Sequence, residues 1–288
     1  MTDHIEIDPQ RRRRSFLEPK LFLPREHGGW FLFLVPLAVG LGVAGKWNGP
    51  GLAFVAAALA LFLARQPLTL AIQSWRGKRT RADLPALLAW LAIYAALIAA
   101  AAGVLLARER LWGLLPLGAV GVGLLALQLW AAAARRARTL WSEVIGTGGL
   151  ALAAPGAHYA ATGAWSVTAL ALWALMATIG VGGVLYSRWR LRRRRLAARV
   201  SGEELPPAPP RVSVLAHYGS ALAAAWLLAR LGWAPWAVVP LYLALLGRVA
   251  WGTRPVARPD RSVLAMGLGE GIATIVSGAW IVAAYRLG

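Results

Sequence analysis

From Thr139 to Ser187 the chain runs for 49 residues with a single charged side chain, Glu143. Two further blocks, 84–107 and 111–134, are each 24 residues long and carry no charge at all. About 20 apolar residues, at roughly 1.5 Å of rise each, cross the hydrocarbon core of a bilayer. Within lipid, every backbone N–H and C=O must be satisfied inside the segment, so runs of this length read as helices. A soluble domain carries about 25% charged residues; this chain carries 15%, against 58% hydrophobic. The expected fold class is therefore all-α, a polytopic transmembrane helix bundle.

Nine apolar segments are expected, at 27–45, 49–64, 84–107, 111–134, 139–158, 165–187, 212–229, 231–247 and 262–285. The 49-residue block is too long for one pass, and Pro155, Gly156 and Gly163 divide it. The second segment has room to continue through Ile72 with Pro67 as a kink. Segments seven and eight are short and meet near Arg230, as a tight turn or a reentrant pair. Strict alternation then puts 26 of the 31 Lys and Arg residues on one side and five on the other. Basic residues accumulate in cytoplasmic loops, so the N-terminus is expected inside and the C-terminus outside. Residues 1–24 read as a polar, basic cytoplasmic tail. Residues 25–288 read as the helical domain, with a basic, Pro-rich cytoplasmic loop at 188–211. No cleavage site follows the first apolar run, so it is expected to remain as a helix.

The chain has no cysteine, which excludes disulfides, thiolate metal sites and thiol nucleophiles. Its four histidines lie far apart, so no metal-ligand spacing exists. A net charge of +19 would point to nucleic acid in a soluble protein. Here cytoplasmic loops account for it, and no nucleic-acid partner is expected. The arginine run at 188–195 reads as a topology anchor against anionic lipid head groups. Tryptophans near segment ends, such as Trp47, Trp75, Trp141 and Trp251, fit interfacial belts. The glycine-rich stretches GAVGVG (118–123), GVGG (180–183) and GLGEG (267–271) read as helix contact faces, where small residues let backbones approach.

A charged side chain costs a few kcal/mol inside a bilayer even on lenient scales, so its position carries information. The ionisable and polar groups that enter the apolar segments gather toward one leaflet. Glu26 and His27 stand at the mouth of the first segment, and Arg65 closes the second. Glu143 lies about one turn into the fifth, and Arg188 ends the sixth. His217 and Tyr218 enter the seventh, Arg248 ends the eighth, and Glu270 is the deepest. The other leaflet has only His158, expected in an external turn, and a few loop arginines. The expectation is a cytoplasm-facing polar pocket lined by Glu26, His27, Arg65, Glu143, Arg188, His217, Tyr218, Arg248 and Glu270. Each of the arginines and Glu26 has an alternative role as an interfacial residue that snorkels to head groups. Glu270, flanked by Gly269 and Gly271, should be paired with an arginine or hydrogen-bonded.

The stretch PREHGGWFLFLVPLAVGL (24–41) resembles the opening signature of the YwiC-like family of bacterial membrane proteins. ARQPLTL (64–70), RTLWSEVIG (138–146) and GGVLYSRWRLR (182–192) resemble later blocks of that family. The resemblance implies a multi-pass protein of a bacterial cytoplasmic (inner) membrane and marks Glu26, His27, Gly28, Trp30, Arg65, Pro67, Glu143 and Arg188. It implies no particular reaction. The number of helices and the basic loops are also similar to UbiA-type intramembrane prenyltransferases. Those enzymes hold Mg²⁺ and a prenyl diphosphate with aspartate-rich motifs. This chain has four aspartates, Asp3, Asp8, Asp83 and Asp260, and none forms a D-x-x-x-D array.

Two carboxylates, two histidines and several arginines suit acid–base work on an amphiphile or the clamping of a phosphate head group. No G-x-S-x-G, H-E-x-x-H or P-loop motif is present. The sequence specifies no cofactor. The expected function is binding or modifying a lipid-like or phosphate-bearing amphiphile. A small-molecule transporter and an accessory subunit of a membrane complex stand as alternatives.

Overall fold

The computed structural model describes residues 16, 18–24, 27–77, 81–133, 139–197, 210–254 and 262–288. Among the described residues all regular structure is helical. In chain order the α-helices are α1 (Pro19–Phe22), α2 (His27–Ala44), α3 (Gly49–Trp75), α4 (Leu84–Ala102), α5 (Leu114–Ala133), α6 (Leu140–Ala151), α7 (Ala153–Thr162), α8 (Val167–Ala197), α9 (Val212–Arg230), α10 (Val238–Gly252) and α11 (Val263–Leu287). A π-helical segment, Gly103–Arg108, continues α4. Six helical stretches are long and apolar enough to span a membrane: those of α3, α4, α5, α8, α9 and α11. The protein is thus an all-helical, multi-pass membrane protein.

Local chemistry explains most of the boundaries. α3 runs on to Trp75 with Pro67 inside it, the continuation that the sequence leaves open. Asn48 caps its start: the side-chain oxygen accepts from the Gly51 amide at 3.0 Å, and the side-chain amide donates to the Ala161 carbonyl at 2.8 Å. The start of α3 and the end of α7 are thereby tied together. The long apolar block divides at two points. Gly163, at φ 76°, caps α7 in the left-handed region. The other break, between α6 and α7, falls at Leu152 and not at Pro155. Pro155 has no N–H for the Ala151 carbonyl, and its ring crowds that carbonyl, so the interruption appears one turn upstream of the proline.

Three sequence expectations are corrected. His158 is not in a turn; it lies inside α7 and is buried. The eighth apolar segment does not begin at Leu231; residues 231–237 form a connection containing Pro235, and α10 starts at Val238. The GAVGVG stretch is not a contact face: a Cβ built on Gly118, Gly121 or Gly123 meets nothing within 4 Å. GVGG behaves as expected, with Gly180 against Thr147 and Leu32 and Gly182 against the Tyr218 ring.

α8 is the pillar of the bundle. It packs against α2, α6, α7, α9 and α11, and it is the most buried of the six long apolar helices. Its Leu172, Leu175, Met176 and Ile179 join Val39 of α2, Ala221 of α9, Tyr242 of α10 and Ile281 of α11 in the main core. The arginine-rich stretch after Ser187 continues this helix to Ala197. Residues 198–209, the rest of the expected loop, lie outside the described residues. α4 and α5 lie at the periphery and do not pack against one another along their lengths.

Candidate functional site

The described candidate residues lie at one end of the bundle, the end to which the C-terminal half of α8 brings its arginines. Arg188 and Arg190 are two residues apart on α8, so they point about 200° apart around its axis. Each meets a carboxylate from a different helix. Arg188 Nε donates to Glu143 Oε2 of α6 at 2.6 Å. Arg190 Nη1 donates to Glu270 Oε1 of α11 at 3.1 Å, and Arg248 of α10 donates to the same oxygen.

The Glu270 cluster is the more enclosed. Side-chain exposure is 14% for Glu270, 16% for Arg190 and 33% for Arg248. Both guanidinium groups also lie over the Tyr186 ring, 5.3 and 5.2 Å from its centre. Glycines open the space. Tyr186 occupies the place where a side chain on Gly252 would stand, and the bare face of Gly183 admits Glu270 to α8. Tyr218, buried beside Gly182, completes this side. His217 points elsewhere, with Nε2 2.9 Å from the Thr178 carbonyl oxygen. The Thr178 hydroxyl meets the Tyr242 hydroxyl at 2.9 Å, and Tyr242 donates to the Leu175 carbonyl at 2.8 Å.

On the opposite side of α8 lies a cavity of about 410 Å³ among α3, α4, α5, α6 and α7. Phe33 and Phe62, stacked at 4.6 Å, and Phe54 form part of its wall. Nearly every lining side chain is a hydrocarbon; the polar ones are Arg65 of α3 and Gln128 of α5. Gln128 places its amide against Gly146 of α6, which also lines the cavity. Glu143 stands three residues, about 4.5 Å of helix rise, before Gly146. Arg65 and Gln128 line the cavity, and the Glu143–Arg188 pair lies outside its lining, one turn along α6 from Gly146. At the far end the lining residues Leu105 and Leu114 pack in an apolar cluster with Leu111, Tyr159 and Ala160.

The sequence-predicted residues accordingly fall into three groups. Arg65 lines the cavity, and Glu143 and Arg188 pair at α6, which forms one of its walls. Arg248, Glu270 and Tyr218 lie across α8 from it. His217 belongs to a third network. Glu26 and the side chain of His27 lie outside the described residues. Two participants escaped the sequence reading. Arg190 is hidden in the arginine run taken as a topology anchor. Gln128 is the single carboxamide in an uncharged block, which was the available signal. Among the described residues no three His, Cys, Asp or Glu side chains come together.

The fold and this arrangement define a class: a polytopic helical membrane protein whose central helix is ion-paired on two sides at one end. A family similarity is found by comparison. Residues 23–158, which is 136 of the 288, match the family model described as YwiC-like protein. Over that stretch, just under half of the chain, the protein is similar to the YwiC-like family; the stretch runs from the residue after α1 into α7, taking in Arg65, Gln128, Glu143 and the cavity wall. No curated protein and no solved structure matches the chain.

Proposed function

We propose that this protein binds a lipid-like amphiphile within the membrane. The apolar tail occupies the cavity among α3–α7, and the polar head lies on the cytoplasmic side at Arg65, Gln128 and the Glu143–Arg188 pair. One observation carries the reading: a 410 Å³ void with hydrocarbon walls that ends at a guanidinium and a carboxamide. That volume falls within the range of about 300–1,000 Å³ of ordinary ligand pockets, which combine apolar walls with a few convergent polar groups. The apolar closure of the far end speaks against a route across the membrane. The basic loops add a general attraction for anionic lipid surfaces.

The test is lipid extraction and mass spectrometry on protein purified in mild detergent. Gly121 lines the cavity and has open space at its Cβ, so Gly121→Leu fills the void without a clash. Wild type should carry an amphiphile in stoichiometric amount, and Gly121→Leu should lose it while unfolding no earlier. Arg65→Leu should lower the occupancy by about tenfold, the change expected from one charge-assisted hydrogen bond. An identical lipid complement in all three proteins overturns the proposal.

A further inference from the structure

The cavity is bounded by helices and open toward one side. At its far end the lining residues Leu105 and Leu114 pack in a cluster with Leu111 and Tyr159. Its deep wall is α2, α6 and α7. At the polar end, the groove between α3 and α4 is filled by a strap, residues 16 and 18–24. Leu21 is fully buried between Ala71 of α3 and Leu87 of α4. Phe16 and Phe22 stack on Trp90 at 5.1 and 4.4 Å. Three side chains of the groove donate to strap carbonyls: Gln66 to Lys20 at 3.1 Å, Trp90 to Phe16 at 3.0 Å and Tyr94 to Phe22 at 3.3 Å. Gln66, which holds the strap, follows the cavity-lining Arg65 directly.

The open side is the gap between α4 and α5. Leu115 and Val122 line the cavity, yet they are 50% and 56% exposed. A residue can do both only at an opening. α5 is the least buried of the membrane-spanning helices, so this opening faces acyl chains and not water. The slot runs along α3 from Phe54 to Arg65, eleven residues or about 16 Å. That length accommodates an extended acyl segment of about a dozen carbons.

We infer that the ligand is an amphiphile with an oxyanion head, taken from the bilayer sideways through the α4–α5 gap, while the strap covers the aqueous side. This rests on the reading of the cavity given above. Charge complementarity at Arg65 selects the head, and a carboxylate or a phosphate supplies the same chemistry.

The experiment uses the full chain in lipid nanodiscs and photoreactive 16-carbon probes: the fatty acid, the alkyl phosphate, the neutral alcohol, and a diacyl phosphatidic acid carrying the same photoreactive chain. The fatty acid, the alkyl phosphate or both should label cavity-lining peptides of α3, α4 and α5, and whichever does identifies the head. The alcohol should label them at least fivefold less, and labelling by the diacyl lipid identifies a phospholipid as the source of the phosphate head. Val122→Trp, at the lip, should slow labelling severalfold. Leu21→Asp, which unseats the strap, should leave the rate unchanged. Cavity labelling that ignores Val122→Trp and accelerates in Leu21→Asp overturns the sideways route but leaves the cavity as a ligand site. Equal labelling by the alcohol overturns the oxyanion head. If no probe labels the lining, and Gly121→Leu changes nothing, both readings fall together.

Discussion

Replacing Glu270 by Gln keeps the shape of the side chain and removes its charge. Arg190 and Arg248 both donate to Glu270 Oε1, so their charges lie within about 8 Å of one another. At an effective dielectric constant of about 20, two like charges at that distance repel by about 2 kcal/mol. In the native protein the carboxylate offsets this; in Glu270→Gln nothing on Oε1 does. The two charge-assisted hydrogen bonds also become ordinary ones, which costs about 1 kcal/mol more. The expected destabilisation is therefore about 3 kcal/mol, at the lower edge of what breaking a buried pair costs because Arg248 is partly exposed. Glu143→Gln is the internal comparison. Its pair with Arg188 is direct but more than a third exposed on both sides, so its loss costs less than about 1 kcal/mol. SDS titration in mixed micelles, read by far-UV circular dichroism, ranks the two. Removing the stranded cation, as in Glu270→Gln with Arg248→Met, should recover about 2 kcal/mol of the loss. If Glu143→Gln costs as much as Glu270→Gln, or if the double variant is the less stable, burial and charge do not govern this end of the bundle.

Further outcomes follow from close approaches and from topology. Gly40→Ala sets a methyl group against the Ala154 carbonyl of α7 and should cost about 1–3 kcal/mol in the same titration; Gly123→Ala, with open space around it, should be neutral or stabilising by about 0.5 kcal/mol. Tyr242→Phe strips the hydroxyl that joins Thr178 and Leu175; it should cost about 1–2 kcal/mol and leave the lipid content unaltered, since this network lies away from the cavity. In a chain without cysteine, Ser201→Cys should react with a membrane-impermeant maleimide only from the cytoplasmic face, and a cysteine added after Gly288 only from the outside. Reaction of both from one face would contradict the alternation of basic loops.

What the sequence made legible depends on what charge and hydropathy can encode. Long uncharged runs dictate membrane helices because unsatisfied backbone groups are intolerable in lipid, and each of the nine apolar segments contains helix. The demand that Glu270 find an arginine was legible, because a lone carboxylate at that depth is too costly. Which arginine was not. Arg190 belongs to a run of six arginines between residues 188 and 195, and only the rotation of α8 distinguishes the one that meets α11 from the one that meets α6. The cavity was illegible for a different reason. A void is a failure of neighbouring helices to touch, and the glycines of GAVGVG have the same letters whether they face a helix or a space. The strap was hidden as well, since Phe16, Leu21 and Phe22 are too few to form an apolar run, and their partners Gln66, Trp90 and Tyr94 are far away in sequence.

The two acid clusters and the cavity are joined by α8. Because Arg188 and Arg190 face apart, Glu143 and Glu270 hold α6 and α11 to opposite sides of the same helix turn. That fixes α6 against rotation, and one turn further along α6 presents Gly146 to Gln128. A change in the Glu143–Arg188 pair therefore moves a wall of the cavity as well as a charge near its polar end. Glu143→Gln separates these effects. If the pair only positions α6, occupancy falls for charged and neutral single-chain probes alike. If Arg188 also meets the head group, relieving it of Glu143 strengthens binding of the charged probe while the neutral one weakens.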